Sequence, residues 1–320
     1  MPIGSRDIIL PKTINVSWGF RTWIQSFRLK FLPQGVLPVF LGSIIAWYQT
    51  GKFDPGLFTL AVIGSACVQI GLTLLNDTLD YVYGTDKSTT SEKNPFSGGS
   101  GVLVDGLLHP NKTLTVVKLF YSVAAIIGGY LTFRVGIGIF WIALLGLFLS
   151  VCYSVKPLRL AYRGIGEFAM LIGYGPTIAL GASYLQTGVF SAQAGLAGLV
   201  PGLLMWSMIL VNEIPDYKED LRANKLNLTV RFGPNVTRWL YIISLSGVYI
   251  FIVCGALGGL FPKWTLLGLA SLPIAVRSFR VVLNHYLNPN AIFPANHAMV
   301  LTYTSTMVLF CLGFWLGKAL

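Results

Sequence analysis

Apolar and polar stretches alternate along this chain with a long period. Nine apolar runs of about the length a bilayer requires, roughly 20 residues, cover 31–50, 57–78, 113–133, 136–153, 164–185, 193–213, 237–257, 260–276 and 297–317. Each reads as a helix, because a spanning segment must satisfy its own backbone hydrogen bonds. The pattern predicts an all-α, polytopic bundle of about nine transmembrane helices. It forms a single membrane-embedded domain over 1–320, with 1–30 as a cytoplasmic or interfacial segment. Within that segment Trp18, Trp23 and Phe27 alternate with Arg21, Arg28 and Lys30, as in an amphipathic helix at a membrane surface. Two polar connections are long, 79–112 and 214–236.

Composition agrees with a lipid solvent. Hydrophobic residues make up 54% of the 320 and charged residues only 11%, against about 25% charged in soluble domains. The net charge of +11 need not mean nucleic acid. With the N-terminus on the cytoplasmic side, 18 of the 23 Lys and Arg fall on that side and four on the other. The asymmetry follows the positive-inside rule and predicts a cytoplasmic N-terminus and an outer C-terminus. The 35 glycines suit close helix packing in lipid. Cys67, Cys152, Cys254 and Cys311 are scattered through apolar runs, and His109, His285 and His297 lack metal-binding spacing, so zinc is not expected. Residues 1–30 lack the short apolar core of a secretory signal.

The acids are the exception to this even texture. Nine of twelve fall in two segments: Asp77, Asp80, Asp86, Glu92 and Asp105, and Glu213, Asp216, Glu219 and Asp220. Each set begins where an apolar run ends, on the predicted cytoplasmic side. Asn76 and Asp80 are four apart, as are Asn212, Asp216 and Asp220. If the helices continue, each set shares one face, with about 6 Å between successive members. Stacked carboxylates repel, so something must offset the cost. Oxygen donors without His or Cys select Mg²⁺, which binds through a few carboxylates plus substrate phosphates.

These residues resemble a known family. Asn76-Asp77-Thr78-Leu79-Asp80, then Gly84 and Asp86, is similar to the first Asp-rich motif of the UbiA superfamily of intramembrane prenyltransferases. Asn212-Glu213-Ile214-Pro215-Asp216 through Asp220, then Leu221-Arg222, is similar to the second. The stretch Tyr153 to Pro157 and on through Tyr162 to Glu167 resembles the connection after the family's fourth helix. Gly84 stands where many members carry Asp, with Asp86 two residues on. That spacing is closest to the branch resembling 1,4-dihydroxy-2-naphthoate polyprenyltransferases.

The resemblance implies Mg²⁺-dependent transfer of a polyprenyl group from an allylic diphosphate to a small aromatic acceptor of the dihydroxynaphthoate type. Such chemistry belongs to menaquinone-type quinone biosynthesis, with two Mg²⁺ ions, release of pyrophosphate, and the cell inner membrane as the location. It assigns Asp77, Asp80, Asp86, Asp216 and Asp220 to metal, with Asn76 and Asn212 in support. It offers Lys156, Arg159, Arg163, Arg222 and Lys225 for the phosphate oxygens, with Lys156 best placed after Tyr153. Asp80 or Asp86 would take the acceptor's proton. Arg277, Arg280, His285, Asn296 and His297, near the last cytoplasmic connection, are weaker candidates for the acceptor's polar group. Alternatives are the same fold prenylating another quinone precursor, a chlorin or a lipid, or cyclising a terpenoid diphosphate. A CDP-alcohol phosphotransferase would need a compact Asp-rich run that is absent here. A transporter would place charges mid-span.

Overall fold

The computed structural model describes residues 19–85 and 99–320, and Asp86 therefore lies outside the described residues. The helices are α1 (Phe20–Phe27), α2 (Leu32–Thr50), α3 (Pro55–Tyr83), α4 (Pro110–Val135), α5 (Ile137–Ser154), α6 (Gly166–Ile172), α7 (Ile178–Thr187), α8 (Ala192–Ala197), α9 (Leu199–Arg222), α10 (Leu228–Phe232), α11 (Pro234–Leu257), α12 (Leu272–His285) and α13 (Phe293–Ala319). Among the described residues nine segments are long and apolar enough to cross a membrane, in agreement with the periodicity. All the regular structure among the described residues is helical.

The differences from the expected boundaries fall where the polar residues are. The second run, expected to stop at 78, continues as helix to Tyr83, and the sixth, expected to stop at 213, continues to Arg222. At 29 residues, α3 is about 43 Å long, well beyond the ~30 Å hydrocarbon core. Its last turns therefore carry Asp77 and Asp80 beyond the apolar layer on a rigid element. At its start, Asp54 caps α3 by accepting from the amides of Gly56 at 2.8 Å and Leu57 at 3.0 Å, with Pro55 as the first helical residue. At its end, Gly84 takes φ +87°, a left-handed conformation that glycine adopts without steric cost.

The fifth span is not one regular helix. Between α6 and α7, Gly173–Thr177 forms a π-helical turn. Pro176 has no amide hydrogen, so the α pattern loses a bond there and the wider turn takes it up. This turn packs tightly on α9. A Cβ on Gly175 would lie 2.4 Å from the Gly198 carbonyl oxygen and 2.7 Å from the Gly202 Cα. Backbone sits on backbone, which only small residues allow. Gly175→Ala is expected to cost about 1–3 kcal/mol through overpacking, read as a lower Tm of the detergent-solubilised protein.

The interior is densest among α9, α11 and α13, where Leu204, Met208, Tyr241, Tyr303, Phe310 and Phe314 are fully buried. By contrast α4 buries only Thr113, Val117 and Leu131, and large apolar side chains of α4 and α5 such as Ile126, Phe133 and Trp141 are exposed. An exposed face this apolar belongs against lipid.

Candidate active site

Both Asp-rich segments ride on continuous helices, and the packing sets their ends side by side. Along α9, Asn212, Asp216 and Asp220 repeat at the i,i+4 spacing that stacks side chains on one face. Asn76 and Asp80 do the same on α3. The two faces border one polar chamber of about 150 Å³, lined by Asn76, Asp80, Asn212, Asp216 and Asp220, with Lys225 and Arg28 beside them.

Asp80, 4% exposed, is the most engaged of the acids. Its Oδ1 accepts from the Tyr162 hydroxyl at 2.6 Å, and its Oδ2 accepts from Lys225 Nζ at 3.0 Å and Asn76 Nδ2 at 3.2 Å. Asp220 Oδ2 accepts from Asn227 Nδ2 at 2.7 Å, and its Oδ1 lies 3.6 Å from Lys225 Nζ. One ammonium thus bridges carboxylates from opposite helices. The turn after α9 delivers it: Asn224 has φ +55°, and the Lys225 amide donates back to the Asp220 carbonyl at 2.8 Å. Burial alone would lower the Lys225 pKa. The Asp220 and Asp80 carboxylates outweigh it and hold the group well above the ordinary lysine value. The ammonium contributes in full below about 10.4, the unfolded value, and that contribution is lost only as pH climbs through the raised value.

Asp77 faces elsewhere. Its Oδ1 accepts from Arg28 Nη1 at 3.1 Å and its Oδ2 from the Ser100 amide at 2.8 Å. Asp77 is not among the residues that line the chamber. Its visible role is to tie the start of the first span and the segment after 98 to α3, which differs from the ligand role implied by the resemblance. The three-residue step from Asp77 to Asp80 leaves the side chains about 60° apart around the helix, and it is their partners, Arg28 and Ser100 for one and Tyr162 and Lys225 for the other, that draw them to different sides.

Of the five cations offered for phosphate, Lys225 lines the chamber, and Lys156, Arg159, Arg163 and Arg222 do not. Arg163 Nη2 donates to the Pro157 carbonyl at 2.7 Å. Lys156 Nζ lies 5.4 Å from the centre of the Tyr83 ring. The Arg159 guanidinium packs against two rings that meet edge to face, 3.9 Å from the centre of Tyr83 and 3.6 Å from that of Tyr162. Arg159 therefore steadies the tyrosine that holds Asp80. Burial first, then the Asp80 carboxylate, raises the Tyr162 phenol well above its usual pKa, so it remains a proton donor. Tyr162→Phe leaves the ring packing but removes the 2.6 Å bond. A charge-assisted bond is worth about 1.5–3 kcal/mol, so Tyr162→Phe is expected to lower the Tm of the detergent-solubilised protein by about 3–6 °C.

Sequence reasoning placed Arg28 at the membrane surface and gave Tyr162 no role. Neither residue is acidic or next to an acid in sequence; Arg28 meets Asp77 across 49 positions and Tyr162 meets Asp80 across 82. Also missed was the pairing of Glu213, which lines the chamber, with Glu167. The Glu167 and Glu213 carboxyls interact with each other. Glu213 Oε2 accepts from Thr229 Oγ1 at 2.9 Å, and Glu167 Oε1 accepts from the Leu228 amide at 2.7 Å. Together they anchor α10 beneath α9. Of the weaker candidates, Asn296 is buried and donates to Asn212 Oδ1 at 2.8 Å and the Val211 carbonyl at 3.0 Å. It orients a chamber residue from outside, while Arg277, Arg280, His285 and His297 do not border the chamber.

The donor chemistry suits a hard divalent cation, since the chamber presents carboxylate and amide oxygens without His or Cys. Among the described residues no three acids, imidazoles or thiolates converge on one point. Lys225 supplies positive charge between the two sets of oxygens.

Below the chamber lies a larger apolar cavity of about 440 Å³. It runs between α3, α4, α5 and α7, lined by residues such as Leu60, Val68, Ile127, Leu147 and Ile178. Gln69, Leu72, Met170 and Tyr174 border both spaces.

A family model described as the UbiA prenyltransferase family matches residues 35–301. The chain is 28% identical to 1,4-dihydroxy-2-naphthoate octaprenyltransferase of Escherichia coli, over 93% of this chain and 96% of that protein. It is 24% identical to 2-carboxy-1,4-naphthoquinone phytyltransferase of Synechocystis, over 93% of this chain and 94% of that protein. Its fold matches a UbiA homologue from Archaeoglobus fulgidus bound to GPP and Mg²⁺, with a TM-score of 0.59 at 13% identity, covering 90% of this chain and 99% of that one.

Proposed function

The chain belongs to the UbiA prenyltransferase family and is an integral-membrane prenyltransferase, and from that premise we propose that it moves a polyprenyl group from an allylic diphosphate to a dihydroxynaphthoate-like acceptor, in menaquinone-type quinone biosynthesis. The observation that carries the reading is the junction of two unlike spaces: a chamber of acids, amides and cations opens beside an apolar cavity, and four residues belong to both. An allylic polyprenyl diphosphate is divided in the same way, with an ionic head and an apolar tail. The acceptor assignment draws on the naphthoate acceptors named for the relatives. Those relatives carry different prenyl groups, octaprenyl and phytyl, so chain length is left to experiment.

Asn76, Asp80, Asn212, Asp216 and Asp220 would hold Mg²⁺, and the resemblance adds Asp86, which lies outside the described residues. Bound Mg²⁺ supplies positive charge to the diphosphate, which favours departure of the leaving group. The chain's own groups do the rest. Lys225 and Arg28 offer cationic donors to the phosphate oxygens. Tyr162 and Asn76 fix Asp80 so that it does not reorganise during the reaction. The apolar cavity keeps water from the reacting carbon. Asp80 accepts the acceptor's proton once the new bond has formed. The chamber lies on the cytoplasmic face of the cell inner membrane, with the N-terminus inside and the C-terminus outside, as the distribution of Lys and Arg supports.

The test combines purified protein, Mg²⁺, a labelled allylic diphosphate and a panel of aromatic acceptors, following pyrophosphate and prenylated product together. Release that depends on a dihydroxynaphthoate is the expected result. Release without any acceptor, with a cyclic hydrocarbon as product, would replace transfer by cyclisation.

A further inference from the structure

Gln69, Leu72, Met170 and Tyr174 are the residues where the polar chamber meets the apolar cavity. In an allylic diphosphate the head joins the tail at C1. A substrate with its head in one space and its tail in the other must place the breaking C1–O bond beside these four side chains. The inference rests on that reading of the two compartments.

Two of the four carry polar atoms, and both are already committed to each other. The Tyr174 hydroxyl donates to Gln69 Oε1. Gln69 Nε2 donates to Thr73 Oγ1 at 3.2 Å, and that hydroxyl donates to the Gln69 carbonyl at 2.9 Å. The Tyr174 hydroxyl is therefore spent on Gln69 rather than on the leaving group. What Tyr174 still offers the junction is its ring, whose electron-rich face attracts cations. The ring is held firmly. It is 7% exposed, it rises from the π-helical turn, and the glycine that follows it is locked against Gly198 and Gly202. Such turns recur at functional sites.

We propose that Tyr174 is a catalytic residue: its ring, oriented by Gln69, stabilises the positive charge that develops on the allylic carbon. The C1–O bond breaks heterolytically and its electron pair leaves with the diphosphate oxygen. The aromatic acceptor's π electrons form the new bond to C1, and the acceptor gives up one proton, so the products are prenylated acceptor, pyrophosphate and H⁺. The ring favours the charged transition state over the neutral ground state, so it acts on kcat rather than on KM. The expected effect is about 30-fold, the worth of a desolvated cation–π contact.

The experiment replaces Tyr174 with phenylalanine, with progressively fluorinated phenylalanines and with leucine in the full-length protein, in detergent with Mg²⁺. Fluorination keeps the ring's shape while draining its face of electrons, so folding is preserved where Tyr174→Leu fails to fold. Tyr174→Phe keeps the ring and loses its hydrogen bond to Gln69, so its kcat is the reference against which the fluorinated series is read. kcat should then fall stepwise along the fluorinated series towards 30-fold, with KM for the diphosphate within about threefold. An ammonium analogue of the allylic cation, added with pyrophosphate, should lose affinity along the same series while a neutral carbon analogue does not. A flat series in an active enzyme, or equal losses for charged and neutral analogues, would overturn the assignment and leave the prenyl-transfer reading intact. If wild-type protein releases no pyrophosphate from any allylic diphosphate, the prenyl-transfer reading falls first and Tyr174 with it.

Discussion

Asp80→Ala is expected to lower prenyl transfer about 1,000-fold, which corresponds to about 4 kcal/mol of lost transition-state stabilisation, while the protein still inserts and purifies. Asp80 is where the two helices meet chemically. Its carboxylate holds the hydroxyl of Tyr162, the ammonium of Lys225 and the amide of Asn76 at 2.6–3.2 Å. Alanine removes a proposed metal ligand and also leaves a half-buried ammonium with only Asp220 to face at 3.6 Å. Extra Mg²⁺ cannot rescue it, because the missing group is part of the protein's own pairing. Asp216→Ala, on the opposite helix face, is expected to act in the same direction. Asp77→Asn is the contrasting variant: it weakens the tie to Arg28 and Ser100 and should cost much less. Initial rates at saturating Mg²⁺ decide the matter, and wild-type-like turnover in Asp80→Ala would sink the metal assignment.

Lys225→Met is the second variant with a large expected effect, and its signature differs. In the folded protein this ammonium sits between Asp80 and Asp220. Methionine keeps most of the side-chain volume and leaves two buried carboxylates without their cation. Breaking such a pair costs about 3–5 kcal/mol. The metal-free protein should therefore melt well below wild type, by about 6–10 °C or more for a chain of this size. Mg²⁺ should recover more of that loss in the variant than it adds to wild type, because a divalent ion can neutralise the same carboxylates. Transfer should remain at least 100-fold down even when stability is recovered, because a cationic donor to the phosphate oxygens is gone. Melting curves with and without Mg²⁺, read beside initial rates, separate the two roles. A variant as stable as wild type without metal would show that the bridge carries no stability.

Several parts of the site were legible in advance because they are local. Asn212, Asp216 and Asp220 repeat every four residues, and a helix converts that spacing into a shared face without help from the rest of the molecule. The same holds for Asn76 and Asp80. What could not be read was direction among near neighbours and pairing at a distance. Asp77 looks equivalent to Asp80 in the sequence, yet one faces Arg28 and the other the chamber. Arg159 looks like a phosphate cation, yet its guanidinium packs on two tyrosine rings and does not line the chamber. Tyr174 lies in an apolar run with no signal beyond Pro176 and the surrounding glycines.

Sequence alone determined that this chain is an all-helical membrane protein with nine apolar segments and two acid-rich helix ends, because hydropathy and helical period act over a few turns and need no partner. The tertiary structure decided which acids share a chamber, which cation bridges them, and where the polar space gives way to the apolar one. Those outcomes depend on contacts between residues up to 145 positions apart, and packing sets such contacts rather than any local preference of the chain.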